Sequence, residues 1–233
     1  SGYYDYSDKL IKLVLAIVTA TGTVMLPHIA NLYMKSEMEK VKKYLYASFD
    51  FVLLISIPMM CGIAAISSTL APWFFGQQFS SVGTLLMIEA PVIVLIGMSN
   101  VIGQQFLLPT KRTKIYTISV TLGAVTNIIF NVPLIILWGV KGAMVATLIS
   151  EVCVTTYQLW STKSILSQRA LMKNFWKYLF AAGLRFLVVL FTNSTMEISI
   201  LSLILQVLEG VTVYVGVLFI LQPNTMERLK MLK

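Results

Sequence analysis

Five ionisable residues lie inside long apolar runs of this 233-residue sequence: Asp50, Glu89, Glu151, Arg185 and Glu209. An ionised group in hydrocarbon costs about 2.5–3.5 kcal/mol on insertion scales, so each needs a partner or a wet cavity. Asp50 stands close to the end of its run, within reach of Lys43 or of water. Glu151 sits near the middle of its run. Thr147, Glu151, Thr155, Gln158 and Thr162 follow three- and four-residue steps, which put them on one helical face. Gly123, Asn127 and Asn131 repeat this in the run before, and Glu89, Ile93, Gly97, Asn100 and Gln104 in the run before that. Such a stripe either hydrogen-bonds to a neighbouring helix or lines an aqueous cavity, and the spacing fits both. Asn127, Asn131, Glu151 and Thr155 are the cavity-lining candidates. Arg185 and Glu209 fall near mid-depth on consecutive antiparallel segments, offset by about 6 Å at about 1.5 Å per residue. An intramembrane ion pair between them is favoured over contact with a substrate, and Gln206 shares the face of Glu209.

No motif of covalent chemistry is present. The sequence has no HExxH, no glycine-rich phosphate loop after a strand and no nucleophile elbow. The one histidine, His28, follows Pro27 at the end of a run and reads as an interfacial residue. Cys61 and Cys153 lie in apolar runs, where cysteine acts as a small hydrophobe, and no CxxC accompanies them. Neither a metal nor a cofactor is indicated, and the chain is not expected to be an enzyme. Asn193-Ser194-Thr195 fits the glycosylation triplet, a weak signal in a bare sequence.

The elements that must position these residues are membrane helices. The chain is 57% hydrophobic and 12% charged, about half the charged share of an ordinary soluble domain, with a mean hydropathy of +0.81. Its net charge of +8 lies in short clusters between apolar runs, unlike a nucleic-acid-binding face. Soluble enzyme, disordered tail and nucleic-acid module are thereby disfavoured. A helix needs about 20 mostly apolar residues to cross a bilayer, and seven segments qualify: about 9–33, 48–70, 82–108, 115–138, 140–162, 175–193 and 198–221. The fold class expected is all-α, a polytopic membrane protein with seven transmembrane helices. Lys35, Lys40, Lys42 and Lys43, then Lys111, Arg112 and Lys114, then Lys163, Arg169, Lys173 and Lys177, then Arg228, Lys230 and Lys233 occupy alternate connections. Because such residues stay cytoplasmic in short loops, the start of the chain faces out and its tail faces in. The connection 34–47 alternates Val41, Tyr44 and Leu45 with lysines. It reads as a juxtamembrane segment that holds orientation, or else as a surface helix touching lipid headgroups. Pro27, Pro58, Pro91, Pro109 and Pro133 permit the kinks frequent in transporters.

Several strings, taken in order, resemble the polysaccharide repeat-unit flippases of the multidrug/oligosaccharidyl-lipid/polysaccharide exporter superfamily. They are GYYDYSDKLIKL, VMLPHIANLY, SIPMMCGI, APWFFGQQF, GMSNVIGQQFLLPTKRTKIYTISVTLGAVTNIIFNVPLI and GVKGAMVATLISEVCVT, together covering about Gly2 to Gln168. Members of that family have fourteen helices, and this chain looks like helices eight to fourteen. The resemblance implies that residues 1–168 form an incomplete carboxy-terminal lobe of five helices, and that 169–233 add two helices and a basic cytoplasmic tail. It implies a piece of a longer protein whose amino-terminal lobe completes the cavity. The full protein would then flip an undecaprenyl-diphosphate-linked oligosaccharide across a bacterial cell membrane by alternating access, its partners being that lipid-linked oligosaccharide and the bilayer. The lipid II flippases, similar in this segment, carry a cavity cation where YYDYSDKL has Lys9, so Lys9, with Lys12 one turn on, is the expected diphosphate contact. The competing role for both is snorkelling to the outer interface. LPHIANLY has His28 and Ala30 where the family has Arg and Ser, and FFGQQF has Gln where an acidic residue is common. Two other functions remain in view: a cation-coupled multidrug exporter of the same superfamily with Glu151 as its cation site, and an unrelated seven-helix receptor.

Overall fold

A computed structural model describes residues 2–76, 80–195 and 199–221. The glutamines at 77 and 78, the basic tail with Arg228, Lys230 and Lys233, and the side chains of the 193–195 triplet lie outside what it describes. Among the described residues there is no strand. The helices are α1 (Gly2–Thr19), α2 (Thr21–Met34), α3 (Met38–Phe75), α4 (Ser80–Ile102), α5 (Thr113–Trp138), α6 (Val140–Thr162), α7 (Gln168–Leu171), α8 (Phe175–Thr195) and α9 (Ile200–Leu221). A π-helical turn, Gly103–Leu107, follows α4. Among the described residues six spans are apolar and long enough to cross a membrane, α1 and α2 counting as one. The polar stripe of α6 keeps it out of that set, although its 23 residues reach about 35 Å.

The first expected segment is found as one span, its helical ladder interrupted at Ala20, whose φ of −55° and ψ of −30° stay helical. Thr19 Oγ1 donates to Leu15 O (2.8 Å) and Thr23 Oγ1 to Ala20 O (2.8 Å). Such back-bonding offers the backbone an alternative to its own ladder, and here it flanks the interruption between α1 and α2. The second segment is longer than expected. Residues 38–47 form the first turns of α3, which runs without a break for 38 residues, and no separate surface helix exists there. Val41 and Leu45 are fully buried against the core, while Lys40 pairs with Glu37 (2.7 Å) and Lys42 with Glu39 (2.8 Å). The hydrogen bond from Lys40 holds the Glu37 carboxyl below its ordinary pKa. His28 is exposed and meets the Tyr44 ring edge-on at 4.4 Å.

The core is an α3–α4 pair, with α1 on α4, α6 on α4, and α8 on α3; α5 packs on α6, and α9 on α8. Proline at position 58 deprives the Leu54 carbonyl of its helical donor. Tyr214 Oη of α9 donates to that carbonyl at 2.9 Å, so the carbonyl that Pro58 frees in α3 is where the last helix docks.

Asp50 does not reach water. It is fully buried, and both its oxygens accept from Asn174 Nδ2, at 3.0 and 3.2 Å. The cause is the chain entering α8, which closes over this end of α3.

The π-helical turn ties three elements together. Gln105 is fully buried, accepts from Ser48 Oγ (2.6 Å), and donates to Thr21 Oγ1 (3.3 Å) and Asn100 Oδ1 (3.3 Å). It thereby latches the start of α2 to α3 and α4. Replacing Gln105 with Leu strands these three partners, and a loss of about 2 kcal/mol or more is expected, read as a lower Tm in detergent. An unchanged Tm would show that the network holds nothing.

Candidate functional site

The three polar stripes foreseen in the sequence do not share one fate. Thr155 is buried and donates to the Leu95 carbonyl of α4 (3.1 Å), and Gln158 Nε2 donates to Ser119 Oγ of α5 (3.0 Å). This half of the α6 stripe is helix-to-helix glue. Thr147 and Glu151 of the same stripe open onto a cavity of about 560 Å³ between α4, α5 and α6, which Gln158 also borders and which Asn100, Gln104, Tyr116 and Asn127 line among others. Of the four cavity candidates, Asn127 and Glu151 line it. Asn131 does not, but its Nδ2 donates to Asn127 Oδ1 (3.2 Å) and so orients that side chain from one turn away. Thr155 does not either, because its hydroxyl is turned toward α4.

The α4 stripe splits for a different reason. A Cβ at Gly97 would meet Val52 of α3 and Val18 of α1, so that face is packed. Glu89 is 3% exposed, hydrogen-bonds the Ser7 hydroxyl of α1, and leaves Oε2 without a partner. The π-helical turn adds a residue to its turn and shifts the phase of the residues after it. Asn100 and Gln104 both line the cavity, as their four-residue spacing expects, while Gln105, the next residue, enters the core. The π-turn itself carries no composition signal.

The expected Arg185–Glu209 ion pair is not formed. Arg185 Nη1 donates to the Pro58 carbonyl of α3 (2.8 Å), and Glu209 Oε2 accepts from Thr192 Oγ1 of α8 (2.9 Å). Depth along the helices allowed the pair; rotation about their axes turns Arg185 toward α3 instead.

Lys9 and Lys12 both stand on the exposed side of α1. Lys9 Nζ lies 5.8 Å from the Tyr6 ring centroid, and Lys12 Nζ is 2.6 Å from Asp8. Leu13, Ile17 and Val24 continue this face as exposed apolar residues. The rest of α1 packs on α4, and α2 on α3. The described chain thus presents a wall with cations at one end and hydrocarbon below, covered by none of its own described helices.

A family model described as lipid II flippase MurJ matches residues 1–217. The chain belongs to the MurJ family. Among its relatives, the probable flippase AglR of Haloferax volcanii is 30% identical, with 99% of this chain and 49% of that protein covered. The lipid II flippase MurJ of Bacillus subtilis is 24% identical over 65% of this chain and 28% of its own length. A putative O-antigen transporter of Shigella dysenteriae is 23% identical over 69% of this chain and 39% of its own. A solved lipid II flippase MurJ in an inward closed conformation superposes with a TM-score of 0.81 at 20% identity, covering 100% of this chain and 48% of that one. This likeness speaks to the fold. The chain therefore spans half or less of the length of the relatives it matches, and it is an all-helical, multi-pass membrane member of the MurJ family. The resemblance to exporters of lipid-linked glycans is met.

Proposed function

We propose that this chain is the carboxy-terminal part of a transporter that flips polyprenyl-diphosphate-linked oligosaccharides across a cell membrane for surface glycan biosynthesis. Its relatives are named as flippases, lipid II flippases and an O-antigen transporter. The observation that carries the reading is the uncovered wall of α1 and α2, with Lys9 and Lys12 at one end of an apolar face. A diphosphate requires cations in a cavity, and a sugar chain requires water, while an isoprenoid tail stays in lipid. The opposite wall would come from an amino-terminal lobe of the same protein, against which the present five-helix lobe and its two additional helices rock. No covalent bond changes in such a cycle. The start of the chain faces out by the distribution of Lys and Arg, and the bacterial cell membrane is its place. Lys9 is the stronger diphosphate contact of the two, because Asp8 already offsets Lys12 at 2.6 Å.

Lys9→Ala in the full-length gene product is expected to weaken binding of a polyprenyl-diphosphate-linked sugar about tenfold, as loss of a charged hydrogen bond would. Lys12→Ala should cost less. Equal affinities of parent and both variants would remove the lysines from the site. A second reading, the cation-coupled drug exporter, draws on Glu151, the one carboxylate among the described residues that line the α4–α5–α6 cavity. It predicts that amphipathic cations bind, and that Glu151→Gln abolishes their binding while lipid-linked sugar diphosphates are ignored.

A further inference from the structure

Arg185 lies at the middle of α8 and carries its charge into hydrocarbon, where a cation needs compensation. Among the described residues no carboxylate forms an ion pair with it. Its Nη1 has the Pro58 carbonyl, but its Nε is buried with no hydrogen-bond partner. The place is nonetheless built to receive it. A Cβ on Gly62 of α3 would come within 2.7 Å of Nη2, and a Cβ on Gly210 of α9 within 2.6 Å of Nε. Two glycines on different helices thus admit the flat guanidinium and fix its plane.

A second orphan points into the same space. Gln206, one turn before Gly210, is 1% exposed, and its Oε1 has no hydrogen-bond partner. Arg185 and Gln206 together line a pocket of about 140 Å³ between α1, α3, α8 and α9, whose other walls include Val14, Met59, Ile63 and Val189. That volume admits several water-sized groups. A half-buried cation with an unused, buried Nε–H beside a buried amide with an unused end is an incomplete polar site, and such orphans are rare unless something fills them. A neutral occupant would satisfy the hydrogen bonds but leave the charge.

We propose that this pocket binds the phosphate of an isoprenoid lipid phosphate, as a station beside the main cavity. The guanidinium balances the charge, and Nε–H donates to a phosphate oxygen. Gln206 presents its oxygen to a phosphate hydroxyl or, with the amide turned over, its N–H to another phosphate oxygen. The aliphatic walls accept the first methylenes of the tail. The idea rests on the flippase reading above, but its site, on the last two helices, is separate from Lys9 and Lys12.

The test uses the full-length gene product carrying Lys9→Ala and Lys12→Ala, in nanodiscs of zwitterionic lipid, with geranylgeranyl diphosphate as probe. Arg185→Gln is expected to weaken binding about tenfold or more, Arg185→Lys to retain most of it, and Gln206→Leu, close in shape to the parent side chain, to lose about threefold to fivefold. Geranylgeraniol, which lacks the phosphate, should bind alike in all of them. Phosphatidylglycerol and inorganic diphosphate serve as competitors: displacement by the first alone would reassign the pocket to bulk anionic lipid, and displacement by the second alone to free phosphate, and either overturns the isoprenoid assignment. Affinity for geranylgeranyl diphosphate unchanged by both Arg185→Gln and Gln206→Leu would overturn the proposal. If Arg185-dependent binding persists in a protein that transports no lipid-linked sugar, the flippase reading fails while the pocket stands.

Discussion

Asn174→Leu lowers the stability of the chain by about 3 kcal/mol or more, a fall in Tm of about 6–12 °C for a chain of this size. The reason is the company Asn174 keeps. The Asp50 carboxyl is fully buried, and both its oxygens take hydrogen bonds from the one Asn174 amide, itself 1% exposed. Leucine fills the space and supplies no donor, so a buried carboxyl loses both bonds without gaining water. Adding Asp50→Leu to Asn174→Leu should restore much of the loss, since removing both partners costs less than stranding one. Thermal unfolding of the two variants in the same detergent checks this. A single variant as stable as the parent would show that the pair holds nothing.

Gly142→Val breaks the α5–α6 hairpin. These helices are joined through Gly139 alone, whose φ of +58° and ψ of −134° suit glycine and little else. Three residues on, a Cβ at Gly142 would fall onto the carbonyl carbon and oxygen of Leu134. Those are backbone atoms held in the α5 ladder, which cannot swing aside as a side-chain tip would. Overpacking costs about 1–3 kcal/mol where the surroundings can relax; here the upper end or beyond is expected, with the α4–α5–α6 cavity deformed because two of its walls are these helices. Gly183 is the control. A Cβ there meets nothing within 4 Å, and Gly183→Ala should be neutral or stabilising by up to about 1 kcal/mol. The comparison is read as Tm and as yield of folded protein; equal behaviour of the two variants would contradict the packing argument.

The helices themselves were legible because apolar run length and interrupting charge are one-dimensional properties. Segments four and five, expected at 115–138 and 140–162, are found as α5 at Thr113–Trp138 and α6 at Val140–Thr162, since Gly139 and the flanking basic residues mark their ends. The lysines from 35 to 43 suggest a connection and so put the start of the second segment at residue 48. In fact Val41 and Leu45 face inward, and the lysines face out from a continuing helix. The ladder interruption at Ala20 has no mark in the sequence, because Thr19 and Thr23 read as ordinary span residues until their hydroxyls bond back to the backbone.

The site was legible in part. Period-3.6 spacing puts Asn127 and Glu151 each on a polar stripe of its own helix, but it gives no rotation of each helix about its axis. That missing angle is why Thr155 packs on α4 instead of lining the cavity, and why Arg185 meets Pro58 instead of Glu209. Gln105 is not marked out in the sequence because a glutamine at core spacing from Val101 and Ile102 gives no sign of the polar partners it will meet. Asn174 is not marked out either, because a residue in a connection gives no sign of which distant carboxylate it will cover.

The most direct measurement is transport by the full-length gene product in liposomes loaded with a fluorescent polyprenyl-diphosphate-linked oligosaccharide. The account predicts protein-dependent movement of the glycan from one leaflet to the other, reduced by Lys9→Ala and unaffected by amphipathic cations. Transport of those cations with no movement of the lipid-linked sugar would contradict it.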